Sequence, residues 1–161
     1  MIKKIFLLTG SNLGDSVSNL EMAAKAISEE VGGIIRKSAI YKSESWGYES
    51  NRKFFNQCLE VESEFSAHEI LDRILKIEKK MGRVRKGNNY SDRIIDIDIL
   101  FFGGDIIEDA MLSIPHPRLH LRRFALFPMN EIAPNFIHPL IKKSIRILLD
   151  ECGDIAMPGI Y

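Results

Sequence analysis

Two acids stand one residue apart in the apolar run Ile95-Asp96-Ile97-Asp98-Ile99-Leu100, and four cations, Arg83, Arg85, Lys86 and Arg93, come just before them. The run reads as a β-strand, in which side chains two apart point to the same face. Asp96 and Asp98 therefore project together, with Ile95, Ile97, Ile99 and Phe101 packing behind them. Two like charges side by side repel unless a cation lies between them or one takes up a proton. Such a pair suits Mg²⁺, which binds one or two carboxylates and completes its shell with waters and substrate phosphates. Arginines close by can grip phosphate oxygens two at a time. The same residues also fit an edge strand whose charges simply face water.

The pair needs a scaffold, and the rest of the chain supplies one. Residues 3–9 read as a buried strand ending in the turn Gly10-Ser11-Asn12-Leu13-Gly14-Asp15. Val17, Leu20, Ala24, Ile27 and Val31 then recur at helical spacing, with Asp15, or Ser18 and Glu21, as caps and Gly32-Gly33 as the stop. A strand, a glycine turn and a helix start resemble a phosphate cradle. Neither Gly-Lys-Ser/Thr nor Gly-x-Gly-x-x-Gly is present, however, and on its own the turn reads as structural.

Residues 34–41 read as a second strand and residues 54–65 as a third. In the third, Phe55, Gln57, Leu59, Val61 and Phe65 share one face, while Asn56, Cys58, Glu60, Glu62 and Glu64 share the other, which reads as solvated. Ser66-Ala67-His68-Glu69 is a capping box opening a second helix. Ile70, Leu71, Ile74, Ile77 and Met81 form its stripe, Gly82 ends it, and His68 reads as a surface residue. Beyond the Asp96 strand, residues 101–107 suggest a hairpin. A helix over residues 125–132, interrupted or kinked at Pro128, and a short one over residues 144–151 complete the chain. The order β-α-β-β-α-β predicts an α+β, ferredoxin-like split βαβ sandwich: an antiparallel sheet, two helices on one face, helical additions at the C-terminal end, and the other face free for loops and substrates.

Three further segments could carry chemistry. The polar loop of residues 42–51 holds the only tryptophan, Trp46, which either closes over a flat ligand or anchors the loop to the core. Asn56, near the start of the third strand, offers a donor and an acceptor to a heterocycle edge. Residues 114–124 gather His116, His120, Arg118, Arg122 and Arg123 between prolines, either to contact phosphate or as a solvated basic face.

At 161 residues the chain is expected to form one domain, 1–161, large enough for a real core. Its 22 Lys+Arg balance 22 Asp+Glu, so any anion site must be local, and no nucleic-acid partner is expected. Cys58 and Cys152 lack metal-ligand spacing, which suits a reduced, cytoplasmic protein. No signal peptide and no membrane span are expected.

Read together, the fragments are specific. The chain resembles the 6-hydroxymethyl-7,8-dihydropterin pyrophosphokinase family in Gly10-Ser11-Asn12-Leu13-Gly14, Trp46-Gly47, Phe55-Asn56, Glu78 with Gly82-Arg83-Val84-Arg85, Arg93 to Leu100, Pro115-His116-Pro117-Arg118, Arg122 with Phe124, and Glu131-Ile132-Ala133-Pro134. The resemblance implies a folate-pathway transferase that moves pyrophosphate from ATP, its co-substrate, to a pterin alcohol and releases AMP. It implies that Asp96 and Asp98 hold two Mg²⁺ ions, and that Arg83 and Arg93, on a mobile loop, stabilise the transferring group. Glu78, Arg85, Lys86, Ile99, His116 and Arg122 would join those arginines at ATP. Asn56 would bind the pterin between Phe54 and Phe124, with Ser43, Glu44, Ser45 and Trp46 lining the pocket. A monomer is expected, and no general base stands out.

Some positions depart from the usual pattern: Asp92 and Ser45 stand where proline is common, and Tyr90 where some relatives carry Trp. Two other readings compete. A polymerase-β-type nucleotidyltransferase also joins Gly-Ser to Asp-x-Asp, but much closer in sequence than Gly10-Ser11 lies to Asp96. A ferredoxin-like metabolite- or RNA-binding module would, in its RNA form, expect aromatics on an open sheet and a basic face.

Overall fold

Lys3–Ser11 (β1) is buried along most of its length because it lies inside a sheet, between two other strands. The structure is a computed structural model and describes residues 1–45, 51–83 and 92–161. After β1 come Ser16–Glu30 (α1), Gly33–Lys37 (β2), Tyr41–Ser43 (β3), Phe54–Ser63 (β4), Ala67–Lys80 (α2) and Asp96–Phe102 (β5). The strands run in the order β5-β1-β4-β3, with β2 also on β4, and the described pairings are antiparallel. The split βαβ expectation holds.

Local signals set the helix ends. Asp15 caps α1 by accepting from the Ser18 N–H at 3.1 Å. Ser66 and Glu69 form both halves of the capping box on α2. Gly82, at φ +92°, takes the left-handed turn that ends α2 and that a side chain would resist. Leu20, Ala23 and Ile27 of α1 and Ile70, Ile74 and Ile77 of α2 pack on Ile5, Leu7, Leu59, Val61, Ile97 and Ile99. Each of the leucine, isoleucine and valine side chains contributes about 1.5–3 kcal/mol on burial.

The opposite face departs from expectation. After two short strands, Ile107–Glu108 (β6) and Ser113–Ile114 (β7), the chain forms Arg123–Ile132 (α3) and Ile145–Glu151 (α4). Leu126, Met129, Ile145 and Leu148 from these helices cover Phe6, Leu8, Cys58, Leu100 and Phe101. That face is therefore not free; only its end, beyond Leu8 and Cys58, is left for a site. Pro128 does not interrupt α3, whose packing carries it through the missing hydrogen bond.

Other corrections follow from register. Residues 34–41 form two strands, since Ser38 replaces the ladder, its hydroxyl accepting the Cys58 N–H at 2.9 Å. The 101–107 hairpin does not form: β6 pairs with β7 in a separate two-stranded sheet. In β5 a bulge sets Phe6 opposite Phe101 but Leu7 opposite Ile99. The extra residue puts Phe101 on the same face as Asp96 and Asp98, not behind them. Glu60 is not solvated; it is fully buried, with Lys4 at 3.0 Å and Arg36 at 2.6 Å as counter-ions. The tail, unassigned from sequence, ends in Gly159–Ile160 (β8), paired to β3.

Candidate active site

Alternation in three neighbouring strands builds the site. Gly10 lies opposite Asn56 on one side and Asp96 on the other, and Leu8 opposite Asp98. Asn56, Asp96 and Asp98 thus project beside Gly10 from the end of the face that α3 and α4 leave uncovered. The pocket there is lined by Leu8, Gly10, Glu44, Phe54, Asn56, Arg93, Asp96, Asp98, Arg122 and Phe124 and spans about 490 Å³, part of it open to solvent. Carboxylates, arginines, two aromatic rings and one amide, predicted separately, thus share one cavity.

The two acids differ in their surroundings. Asp96 accepts from Arg93 Nη1 at 3.0 Å and from Arg83 Nη1. The Asp98 carboxyl is pushed up to about 8, first by burial and then by the charge of Asp96, with Arg122 opposing. A carboxylate so disfavoured beside a second one is chemically matched to a divalent cation, whose charge would relieve both causes. Among the described residues no cluster of three or more His, Cys, Asp or Glu forms a metal cage. Mg²⁺ does not need one when substrate phosphates complete its shell.

Around the acids, His116 is half-buried. Burial, followed by the charge of Arg122, pushes it down to about 4, so it is neutral near pH 7. The Arg118 N–H donates to its Nδ1 at 3.1 Å, which leaves the proton on Nε2 as a donor suited to phosphate. Arg122, 8% exposed, stacks at 5.5 Å from the Phe124 ring. Glu78 has a different surrounding from the one expected of a nucleoside contact. It is 2% exposed, and its Oε2 accepts from the Ile97 N–H at 2.8 Å and from Arg83 at 2.7 Å. The carboxylate fixes the start of β5 and the Arg83 guanidinium from inside the protein. Ile99 turns its side chain into the core beneath α1 and α2, so only its main chain can meet a ligand.

At the other end of the pocket, Asn56 is 5% exposed and its Nδ2 donates to Thr9 O at 3.3 Å. Among the described residues its buried Oδ1 has no hydrogen-bond partner, and neither has the hydroxyl of Ser43 on the neighbouring strand. Buried acceptors normally have a partner, and at the pocket wall a flat ligand with N–H groups on its edge would supply one to Asn56 Oδ1. Phe54 lies under Arg93, 5.9 Å from its guanidinium carbon. Glu44 is exposed and paired with Lys53, and Ser45 is partly exposed next to it. Trp46, Tyr90, Arg85 and Lys86 lie outside the described residues.

Sequence reasoning placed Gly10 and Asn12 in a turn read as structural and gave neither a role in the site. A Cβ on Gly10 would stand 2.6 Å from Asn56 Nδ2, so the glycine gives Asn56 its room. Asn12 accepts from the Arg93 N–H at 2.7 Å, and its own N–H donates to Arg93 O at 3.0 Å. A Gly-x-Asn pairing to a site arginine needs the antiparallel β1–β5 register, which no local pattern encodes.

Comparison with known proteins points the same way. Residues 6–134 match the family model described as 7,8-dihydro-6-hydroxymethylpterin-pyrophosphokinase. The chain is 37% identical over 142 residues to the 2-amino-4-hydroxy-6-hydroxymethyldihydropteridine pyrophosphokinase of Aquifex aeolicus, covering 88% of each. It is 39% identical over 137 residues to the folic acid synthesis protein FOL1 of Dictyostelium discoideum, covering 85% of this chain and 20% of that longer one. A crystal structure of Plasmodium falciparum HPPK-DHPS superimposes with a TM-score of 0.77 at 19% identity, over 94% of this chain. This chain spans 43% of that larger protein, and the likeness bears on fold alone.

Proposed function

We infer from one premise, that the chain belongs to the 7,8-dihydro-6-hydroxymethylpterin-pyrophosphokinase family, that it transfers pyrophosphate from ATP to the hydroxymethyl group of 6-hydroxymethyl-7,8-dihydropterin, releasing AMP, in folate biosynthesis. The observation that carries this to the residues is the shared pocket, where the unpartnered Asn56 Oδ1 and two phenylalanines stand across from two carboxylates and two arginines.

In this reading the pterin lies between Phe54 and Phe124, and its N–H edge donates to Asn56 Oδ1 and the Ser43 hydroxyl. Its hydroxymethyl oxygen attacks the β-phosphorus of ATP, the bond from that phosphorus to the bridging oxygen breaks, AMP leaves with that oxygen, and the hydroxyl proton passes to solvent. Charge grows on the non-bridging oxygens, so the protein's task is positioning and electrostatic stabilisation. Arg83 and Arg93 neutralise the transferring group, while His116 Nε2–H and Arg122 hold phosphate oxygens. Asp96 and Asp98 would hold Mg²⁺, two ions in this proposal, which supply charge neutralisation at the phosphates when bound. The whole chain acts as one domain, as a monomer in the cytoplasm. Its cysteines are free and buried, and no described helix is long and apolar enough to cross a membrane.

Incubation with ATP, Mg²⁺ and the pterin alcohol is expected to yield AMP and the pterin pyrophosphate in equal amounts. ADP as product would overturn pyrophosphoryl transfer, and neither product would return the site to a binding module. For the pterin end, Gly10→Ala is expected to raise the pterin KM by about tenfold or more, because the new methyl displaces the Asn56 amide. The ATP KM should change far less. An unchanged pterin KM would remove Asn56 from recognition.

A further inference from the structure

We propose that Asp92 is a positioning residue that sets where Arg93 stands by orienting the Asn12 amide, an inference that rests on the function proposed above. Asp92 is the acid whose charge fits least well beside a phosphate site. The structure directs that charge elsewhere. Asp92 Oδ1 accepts from Asn12 Nδ2 at 2.7 Å, and Asp92 Oδ2 lies 3.6 Å from Arg52 Nε. Asp92 is not part of the pocket wall, whereas Arg93, the next residue, is.

The consequence lies in the amide. A primary amide has a donating and an accepting end, exchanged by one half-turn of its last torsion. An ionised carboxylate only accepts, so it selects the orientation with Nδ2 toward Asp92 and Oδ1 toward the Arg93 N–H. That Oδ1 takes the Arg93 N–H at 2.7 Å, and the Asn12 N–H completes the grip on Arg93 O at 3.0 Å. Both main-chain polar groups of Arg93 are thus fixed by one residue of the turn between β1 and α1. Asn12 is 4% exposed, so solvent competes little for these bonds. From that anchored backbone the guanidinium spans to Asp96 Oδ2 at 3.0 Å and lies over Phe54. Without the carboxylate the Asn12 side chain loses the charged acceptor that holds its Nδ2 end, and its grip on the Arg93 N–H loosens.

The test compares wild type, Asp92→Ala, Arg93→Ala and the double variant, by steady-state transfer kinetics and by hydrogen exchange at the Arg93 amide. Asp92→Ala is expected to lower kcat about tenfold while the ATP KM stays within about twofold, and to speed Arg93 exchange. Added to Arg93→Ala, the same change should cost nothing more, since it acts through a side chain already gone. Asp92→Asn should recover part of kcat, as its Oδ1 can still accept from Asn12. A wild-type kcat in Asp92→Ala, or an equal loss in both backgrounds, overturns the proposal. If the wild type forms no AMP, the function proposed above falls, and the exchange result still decides: unchanged protection at Arg93 in Asp92→Ala would refute the anchor.

Discussion

Asp98→Asn is expected to slow pyrophosphoryl transfer by at least about a thousandfold, the equivalent of roughly 4 kcal/mol in the barrier, and yet to leave the protein no less stable. The two outcomes share a cause. The Asp98 carboxyl is pushed up from 3.8 to about 8, first by burial and then by Asp96, so the folded protein disfavours the charge that a metal ligand must carry. Between those two values the folded chain holds the proton more tightly than the unfolded chain does. Stability therefore falls as pH rises from about 4 to about 8. Asparagine keeps the shape and removes the charge, so its melting temperature should fall less across that window and exceed that of the wild type near pH 8. Adding Mg²⁺ with a non-hydrolysable ATP should raise melting of the wild type more than that of the variant, by mass action on the folded state. Near-normal turnover in Asp98→Asn would end the metal assignment. A variant that melts well below wild type at pH 8 would mean that Asp98 holds the fold through its charge.

This divided character of the acid pair was only half legible in the sequence. Alternation placed Asp96 and Asp98 on one face, because period-two geometry is local. It could not say that Asp96 is paired with two arginines while Asp98 faces burial, since that depends on where Arg83, Arg93 and Arg122 arrive from three other segments. The capping box on α2 and the Gly82 stop were equally local, and both stand as read. Phe101 was misplaced because a bulge breaks the alternation, and nothing in Leu100-Phe101-Phe102 announces one. Glu60 read as solvated because a buried acid looks like an exposed one until Lys4 and Arg36 are brought from neighbouring strands. The cover of α3 and α4 over the second face was missed although the sequence carried a signal for it. Phe6, Leu8 and Cys58 leave that face as apolar as the other, a pattern that fits a sheet buried on both sides. Motif order was the part that carried function, since residues far apart in sequence proved to meet in one pocket.

Arg93→Ala is expected to lower kcat by about a hundred- to a thousandfold while leaving the ATP KM within a few-fold. It should also strengthen, not weaken, binding of Mg²⁺ alone. The split follows from what Arg93 touches. Its guanidinium holds Asp96 Oδ2 at 3.0 Å, while Arg83 holds the other oxygen, so both arginines compete with any cation for that carboxylate. In the transfer reaction the phosphates offer the arginines a better partner, since charge on their oxygens grows toward the transition state. On the function proposed above, the guanidinium would move to the transferring group and leave Asp96 able to hold a metal ion. Removing Arg93 deletes one competitor at Asp96 and one stabilising charge at the phosphates, so metal affinity and turnover should move in opposite directions. Arg83 should show the effect less cleanly, because Glu78 also holds it at 2.7 Å and would keep part of its charge away from the phosphates. Calorimetric titration of Mg²⁺ into each variant, beside single-turnover rates, reads both signs. If Arg93→Ala weakens Mg²⁺ binding, Arg93 supports the metal site instead of competing with it. If kcat and affinity for ATP fall together, it binds the ground state and carries no special share of the chemistry.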